Sequence, residues 1–379
     1  MLNVAGASGA KPAEAAAPAA IRPCVAADLP AVARLFRQTF LRDGRGGTVP
    51  LEAYLKDVFF DHPWRDAELA SLVYVNPDGT IGGFIGVMPL RLLHNGVPVK
   101  AASAGSLMVE RPADNPLAGA RLMRSFFAGP QEFSVSDSAN EVSQRMWEKL
   151  GGRTAAAYSM EWLKVLKPAG FAAALAADRH AALGFLRHLA VPADAIAVRM
   201  APGLFASDAA DKAGADVDDA TLLDLLPRLA ERYALRPAWD RASLSWFLAH
   251  AADKERYGGL VRRVIRGRRD DTVGAYLYCV RPKGVGFVLQ LLCERGAEEA
   301  VVADLLADAY RRGAVALRGR VQPEFADALL RRRAVFIHAA STVVQSRRAD
   351  LLAVVAGGEA LLTGLAGESW SRLIGGVFL

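Results

Sequence analysis

The chain has 379 residues, 46 Lys+Arg against 40 Asp+Glu, a formal charge of +6 and 52% hydrophobic residues. That length suits about two domains, and its mildly basic balance lacks the aromatic interleaving that a single-strand nucleic-acid surface needs, which argues against nucleic acid as a partner. No apolar run approaches the ~20 residues of a membrane span, and Cys24, Cys279 and Cys293 lack CxxC spacing, which points to a reducing, cytoplasmic setting without a disulfide framework.

The first 20 residues are rich in Ala, Pro, Gly and Ser and read as a flexible tail, because they lack the basic start and apolar core of a signal peptide. Order begins at Ile21 with a short strand. A helix follows, with Asp28 as its N-cap, Pro30 in its first turn, and Leu29, Val32, Leu35, Phe36 and Phe40 at helical spacing. A second helix carries Leu51, Tyr54, Leu55, Val58 and Phe59. SLVYV, TIGGFIGVMPLRLLH and VPVKAASAGSLMVE then read as antiparallel strands, joined at Asn76-Pro77-Asp78-Gly79 and at the hairpin dipeptide Asn95-Gly96. A helix with Leu122, Met123, Phe126 and Phe127 on its apolar face precedes the strand EFSVSDS. The helix ANEVSQRMWEKL ends at Gly151-Gly152, and YSMEWLKVL is a further strand. This order over residues 21–165 predicts an α/β (α+β) domain, a mixed, mostly antiparallel sheet flanked by helices.

Residues 166–220 read as a linker containing an Ala-rich helix. From 221 to 379 the pattern resumes as α-α-β-β-β-α-β-α-β, a second domain repeating the order of the first with little residue identity. The clusters at Arg262–Arg269, Arg331–Arg333 and Arg347–Arg348 read as solvated faces, with attraction to an anionic partner such as a CoA phosphate, nucleic acid or lipid head group as the alternative, and Trp239, Trp246 and Tyr257 read as core packing, with the lining of a cleft as theirs. The histidines are scattered without metal-ligand spacing, and there is no P-loop, Rossmann fingerprint or GxSxG motif.

Three segments carry a family resemblance: IRPCVAADLPAVARLF, SLMVERPADNPLAGARLM and SDSANEVSQRMWEKLGGR. On these, residues 21–165 resemble the GNAT (GCN5-related N-acetyltransferase) superfamily. The second half resembles it by order of elements alone, as a degenerate tandem copy. The resemblance implies acyl-CoA held between splayed fourth and fifth strands, with the backbone of Leu107, Met108, Val109 and Arg111 against the pantetheine. The family's Q/R-x-x-G-x-G/A loop falls on Asn115-Pro116-Leu117-Ala118-Gly119-Ala120. Amides at a helix N-terminus can bind a pyrophosphate there without any basic side chain; Arg111 and Arg121 are possible supplements. Asn140 matches an asparagine that contacts the CoA arm, and is equally placed to begin a helix.

Asp137 and Glu110 are the candidate bases for a bound amine, with an N-cap role open to Asp137 or Ser138. Trp147 stands where many members carry a tyrosine that protonates the leaving thiolate, which indole cannot do. In the second half, Glu298 and Glu299 in the first helical turn would repel a pyrophosphate. The implied function is N-acyl transfer from acetyl-CoA or another acyl-CoA, as co-substrate, to an unknown amine, with no metal. A non-catalytic GNAT-fold binding module and a FemAB-like aminoacyl transferase are the alternatives.

Overall fold

The computed structural model describes residues 19–41, 50–179, 214–267 and 271–374, with part of 190–200. Most of the expected N-terminal tail and part of the Ala-rich linker helix lie outside the described residues.

The first helices form as their apolar spacing dictates. α1 (Leu29–Phe40) buries Leu29, Val32, Ala33, Leu35 and Phe36, and α2 (Leu51–Phe59) buries Leu51, Tyr54, Leu55 and Val58. Asp28 does not cap α1. Its carboxylate accepts the Arg22 guanidinium at 2.7 and 2.8 Å and the Val25 N–H at 2.9 Å, closing the single turn before the helix. An arginine six residues upstream outcompetes the helix amides for it.

The strands of the first half are β1 (Ala20–Pro23), β2 (Leu72–Val75), β3 (Ile81–His94), β4 (Val97–Val109), β5 (Phe133–Ala139), β6 (Arg153–Thr154) and β7 (Met160–Val165). The β3–β4 hairpin turns at Asn95 and Gly96, both with positive φ (49° and 83°), the conformation that makes this dipeptide a hairpin signal. α3 (Ala118–Phe127) and α4 (Glu141–Lys149) flank β5, and α5 (Pro168–Arg179) follows β7. The second half contains β8 (Ala215–Asp216), α6 (Asp219–Ala230), β9 (Leu235–Pro237), α7 (Arg241–Ala252), β10 (Gly259–Arg266), β11 (Thr272–Val280), β12 (Val285–Cys293), α8 (Glu298–Arg311), β13 (Ala316–Arg320), α9 (Ala326–Arg331), β14 (Val335–His338), β15 (Ser341–Ser346) and α10 (Ala349–Ala356).

Two sheets result. The first runs β1-β2-β3-β4-β5-β15-β6, with β9 added beside the hairpin end of β3, and the second runs β8-β10-β11-β12-β13-β7-β14. Both are antiparallel except at one matching step, β4 with β5 and β12 with β13. The two sheets exchange a strand. β7 pairs with β13 and β14 of the second sheet, while β15 enters the first sheet between β5 and β6. Period-two alternation tells which residues of β7 face a core, but not which sheet supplies that core.

The packing follows the exchange. One face of the first sheet packs on α3 and α4 through Ala102, Ala104, Leu122, Phe126, Trp147 and Val343 of β15. Its other face, carrying Val99, Ala101, Phe133 and Val135, shares one core with α1, α2, α6, α7 and the chain after α10. That last segment is buried from Ala360 to Arg372 although it forms no helix or strand. The expected aromatic group packs in or against this core: Trp239 is buried, Trp246 meets Phe247, His250 and Trp370, and Tyr257 stacks on Phe287. Among the described residues no helix is long and apolar enough to cross a membrane.

Candidate active site

The parallel ladder between β4 and β5 is short. Ala101, Ala102 and Ser103 pair with Phe133, Ser134 and Val135, and there the pairing stops, although β4 continues to Val109 and β5 to Ala139. The cause lies on the other side of β4. Gly105 pairs with Gly86 and Met108 with Phe84, so Ser106 and Leu107 together oppose Ile85 alone. Such a bulge bends its strand and releases backbone from the ladder, and Ser106 takes a left-handed φ of 51°. Gly86 permits the close approach, since a Cβ there would run into the Phe59 ring and come within 3.1 Å of the Gly105 carbonyl oxygen. A wedge opens between the two strands as a result.

On the α1/α2 side the wedge is closed by the buried C-terminal segment. Glu368 reaches between the parting strands. Ser103 of β4 donates to one of its carboxylate oxygens at 2.6 Å and Ser138 of β5 to the other. A Cβ on Gly105 would stand 3.6 Å from that carboxylate, so the missing side chain leaves it room. The Glu368 N–H in turn donates to Asp137 Oδ1 at 3.1 Å, while buried Asp137 Oδ2 has no hydrogen-bond partner. Burial pushes the Asp137 carboxyl up from its ordinary range. Burial, followed by the neighbouring Asp137, pushes Glu368 up to about 8, against the opposing effect of its serine donors. Two neighbouring carboxyls buried away from water carry one proton more readily than two charges.

The segment is firmly anchored. Lys254 donates from Nζ to the carbonyls of Ser369, Ser371 and Ile374 at 2.6, 3.0 and 3.0 Å. Tyr158 Oη donates to the Ala360 carbonyl at 2.9 Å and accepts from its N–H at 3.0 Å. Gln290 of β12 accepts the Leu365 N–H at 2.9 Å, and the Tyr54 hydroxyl accepts the Arg372 N–H at 2.7 Å. Both halves therefore hold the same strap, whose backbone groups would otherwise be costly to bury.

Of the residues singled out from sequence, Asp137 lies in the wedge and Glu110 outside the carboxyl pair, past the end of β4, with its N–H on the Gly82 carbonyl at 2.8 Å. Met108 is buried, and Leu107 and Val109 are half-buried. The first turn of α3 lies against the end of β4: a Cβ on Gly119 would come 3.6 Å from Val109 and 3.3 Å from Met146. No side chain caps that turn, and Leu117 at its start is exposed. Asn115 supplies a carbonyl to the Ala118 N–H at 3.1 Å, Ala118 is buried and Ala120 half-buried. Arg111, with φ 44°, is exposed and 3.7 Å from Asp114. Arg121 donates to the Ala19 carbonyl at 3.1 Å and lies over the Tyr74 ring. Asn140 caps α4 by accepting the Ser143 N–H at 2.9 Å. Trp147 is fully buried against Phe126 and Phe127.

The sequence reading missed Glu368, Ser103 and Lys254. The available signal was a glutamate flanked by Gly364, Gly367 and apolar residues in a stretch with no helical or strand period.

The second sheet parts at the matching step, where β12 leaves β13 after Val288–Gly319. That gap is plugged. The Gln322 side chain accepts the Leu291 N–H at 2.9 Å and donates to the Leu291 carbonyl at 2.7 Å, taking the place of a strand. At the start of α8, Glu298 and Glu299 are paired with Arg232 and Arg332 at 2.9 and 2.7 Å. Elsewhere, a cavity of about 650 Å³ lies by the β3–β4 hairpin, lined by Trp64, Pro89, Arg91, Pro98 and Lys100, and no residue of the wedge borders it.

No family model and no curated protein matches the chain. Its fold does match solved structures. A GCN5-related N-acetyltransferase from Anabaena variabilis ATCC 29413 aligns over 87% of this chain and 73% of its own, with a TM-score of 0.57 and 11% identity. A conserved protein of unknown function from Enterococcus faecalis V583 aligns over 87% and 73%, with a TM-score of 0.56 and 8% identity. A GCN5-related N-acetyltransferase from Kribbella flavida aligns over 86% and 72%, with a TM-score of 0.53 and 15% identity. The chain has the GNAT fold.

Proposed function

We propose that this protein is an N-acyltransferase that takes an acyl-CoA into the β4/β5 wedge and transfers the acyl group to an amine. The observation that carries the reading is the difference between two equivalent gaps. The first is opened by a bulge at Ser106 and lined by Ser103, Gly105 and Asp137; the second is plugged by Gln322. A pantetheine arm offers amides to backbone, and the bulged stretch Leu107, Met108, Val109, continuing to Arg111, is the backbone that would meet it. In the turn from Leu117 through Ala118, Gly119 and Ala120, which no side chain caps, Asn115 holds the Ala118 N–H, and the Gly119 and Ala120 amides would receive the pyrophosphate. Asn140 is engaged in capping α4, so its contribution there would come through the main chain. Holding thioester and amine together supplies much of the rate, and a carboxyl of the buried pair that includes Asp137 would handle the proton. The tandem organisation, with the second copy supplying β15 and the strap instead of a CoA site, belongs to the same reading. So do acetyl-CoA as the donor and the cytoplasm as its setting, the latter in keeping with three free, buried cysteines.

A non-catalytic acyl-CoA-binding module is the second reading, and buried Trp147 favours it, because the phenol that would protonate the thiolate is missing. Titrating acetyl-CoA in a thermal melt, then assaying thiol release with a panel of primary amines, separates the two. Ligand at a hundred times Kd stabilises the folded state by about 2.7 kcal/mol, a shift that is readily read. No shift at saturation removes the acyl-CoA reading, and a shift without thiol release leaves the binding module.

A further inference from the structure

Glu368 enters the wedge on backbone without regular structure, and the surroundings are built to hold it there. Lys254 gathers three carbonyls of the strap, and Trp370 packs among Trp246, Phe247 and His250 while donating to the Gly367 carbonyl at 2.8 Å. Gly367 has no room for a side chain, since a Cβ would collide with Asp137 Oδ2 and stand 2.6 Å from the Leu362 carbonyl oxygen. A polar side chain delivered at this expense into a core, touching both strands where they part, calls for a use.

We infer that Glu368 is the general base of the acyl transfer, and that Asp137 is the positioning residue that holds and tunes it. This rests on the acyl-CoA reading of the wedge. Three observations select Glu368. Among the described residues it bridges the two strands, through Ser103 and Ser138, at the point where they part. It faces Gly105, the residue just before the bulge. Glu110 lies past the end of β4 and makes neither contact.

The groups facing the pair are few. Ser103, Ser136 and Ser138 come from the strands. Lys254 lies behind the strap, and Arg320 stands near Asp137, with its guanidinium on the carbonyls of Tyr158 and Ala340 and on Thr342 Oγ1 at 2.8–2.9 Å. Burial and Asp137 raise the Glu368 carboxyl to about 8, which makes it a far better proton acceptor near neutrality than an exposed glutamate. The step balances without another reactant. As the amine nitrogen bonds to the thioester carbonyl carbon, its proton passes to the Glu368 carboxylate. The C–S bond breaks, the thiolate leaves with the bonding pair, and the proton on Glu368 passes to it. The products are an amide and free CoA thiol, and Glu368 is again a carboxylate. One carboxyl thus also does what a tyrosine at Trp147 would have done.

The test compares the full-length chain with E368Q, E368D and D137N, using acetyl-CoA with lysine, spermidine and phenethylamine, and with water alone as acceptor, and reading thiol release and acetyl-CoA affinity. E368Q should lose about 10²–10⁴-fold in kcat/KM with acetyl-CoA affinity within about twofold, and E368D should recover part of the loss. Wild-type kcat/KM should rise with pH to about 8, and D137N, lacking the neighbouring charge, should move that rise to lower pH. Wild-type turnover with a folded E368Q inside threefold of it overturns the assignment while leaving acyl transfer intact. If E368Q does not fold, an unmoved pH rise in D137N overturns it instead. A wild-type chain that binds acetyl-CoA but releases no thiol with any acceptor overturns Glu368 as base and leaves binding; failure to bind overturns both.

Discussion

A methyl group added at Gly367 has no space to occupy, because Asp137 Oδ2 and the Leu362 carbonyl oxygen already fill it. Gly367→Ala should therefore push the strap off the wedge. The expected cost is about 1–3 kcal/mol, that of overpacking a tight core, read as a lower denaturant midpoint at unchanged slope. Thiol release should fall further than stability does, since Glu368 is the next residue. A comparable loss in both would mean that strap position matters only to folding. Lys254 makes the complementary point. Its ammonium is buried and pushed down to about 8 by that burial, yet it satisfies three carbonyls of irregular backbone. Lys254→Met keeps the stem and removes the donor, leaving those carbonyls unsatisfied. An unmade buried hydrogen bond costs about 1–3 kcal/mol, so a loss of several kcal/mol in chemical denaturation is expected. A loss under 1 kcal/mol would show that the strap does not depend on this anchor.

At the level of elements, the exchanged strands join what the order of elements separates. Val343 sits on β15, late in the chain, but is fully buried in the core that α3 and α4 make with the first sheet. Val343→Ala should cost on the order of 2 kcal/mol through lost burial and the cavity left behind. It should also weaken acetyl-CoA binding at the β4/β5 wedge, because β15 is the partner that holds β5 on its other edge. Calorimetry showing a separate, unshifted transition for the first sheet would defeat this. Much of the architecture was legible in the residues. Apolar spacing marked α1, α2 and α3, Gly151-Gly152 marked the end of α4, and Asn95-Gly96 marked the hairpin, because these signals are local and arise from backbone sterics and one-sided burial. The destination of β7 was not legible, since Met160–Val165 reads the same whichever sheet receives it. Half of the carboxyl pair could be read: Asp137 ends a recognisable strand, whereas Glu368 depends on long-range packing of a segment with no period at all. Gln322 was equally hidden, since a side chain standing in for a strand leaves no pattern behind.

For the whole molecule, the buried carboxyl pair makes stability depend on pH in a direction opposite to ordinary surface acids. Glu368 has its folded-state value raised to about 8, against about 4.3 for an unfolded glutamate. Between these values the folded chain binds more protons than the unfolded one, so the stability contributed at low pH is lost as pH rises through that window. Lys254 acts the other way above it. Its folded value is lowered to about 8, so from there to about 10.4 the unfolded chain holds more protons and stability rises with pH. His62, pushed down to about 3 chiefly by burial, makes stability rise with pH on the acid side. These opposing slopes would blur in a single melting curve, but His62 and Lys254 are common to wild type and E368Q and largely cancel in the difference. Glutamine cannot ionise, so E368Q should lose stability less than wild type as pH climbs from 5 to 9. The gap should grow from pH 5 to about 8 and flatten above it. Denaturant melts of the two proteins at several pH values supply the comparison. A difference that stays flat from pH 5 to 9 would mean that Glu368 titrates like an exposed carboxylate. The wedge would then be open to water from the strap side, and the dry proton-holding pair on which the catalytic assignment depends would not exist.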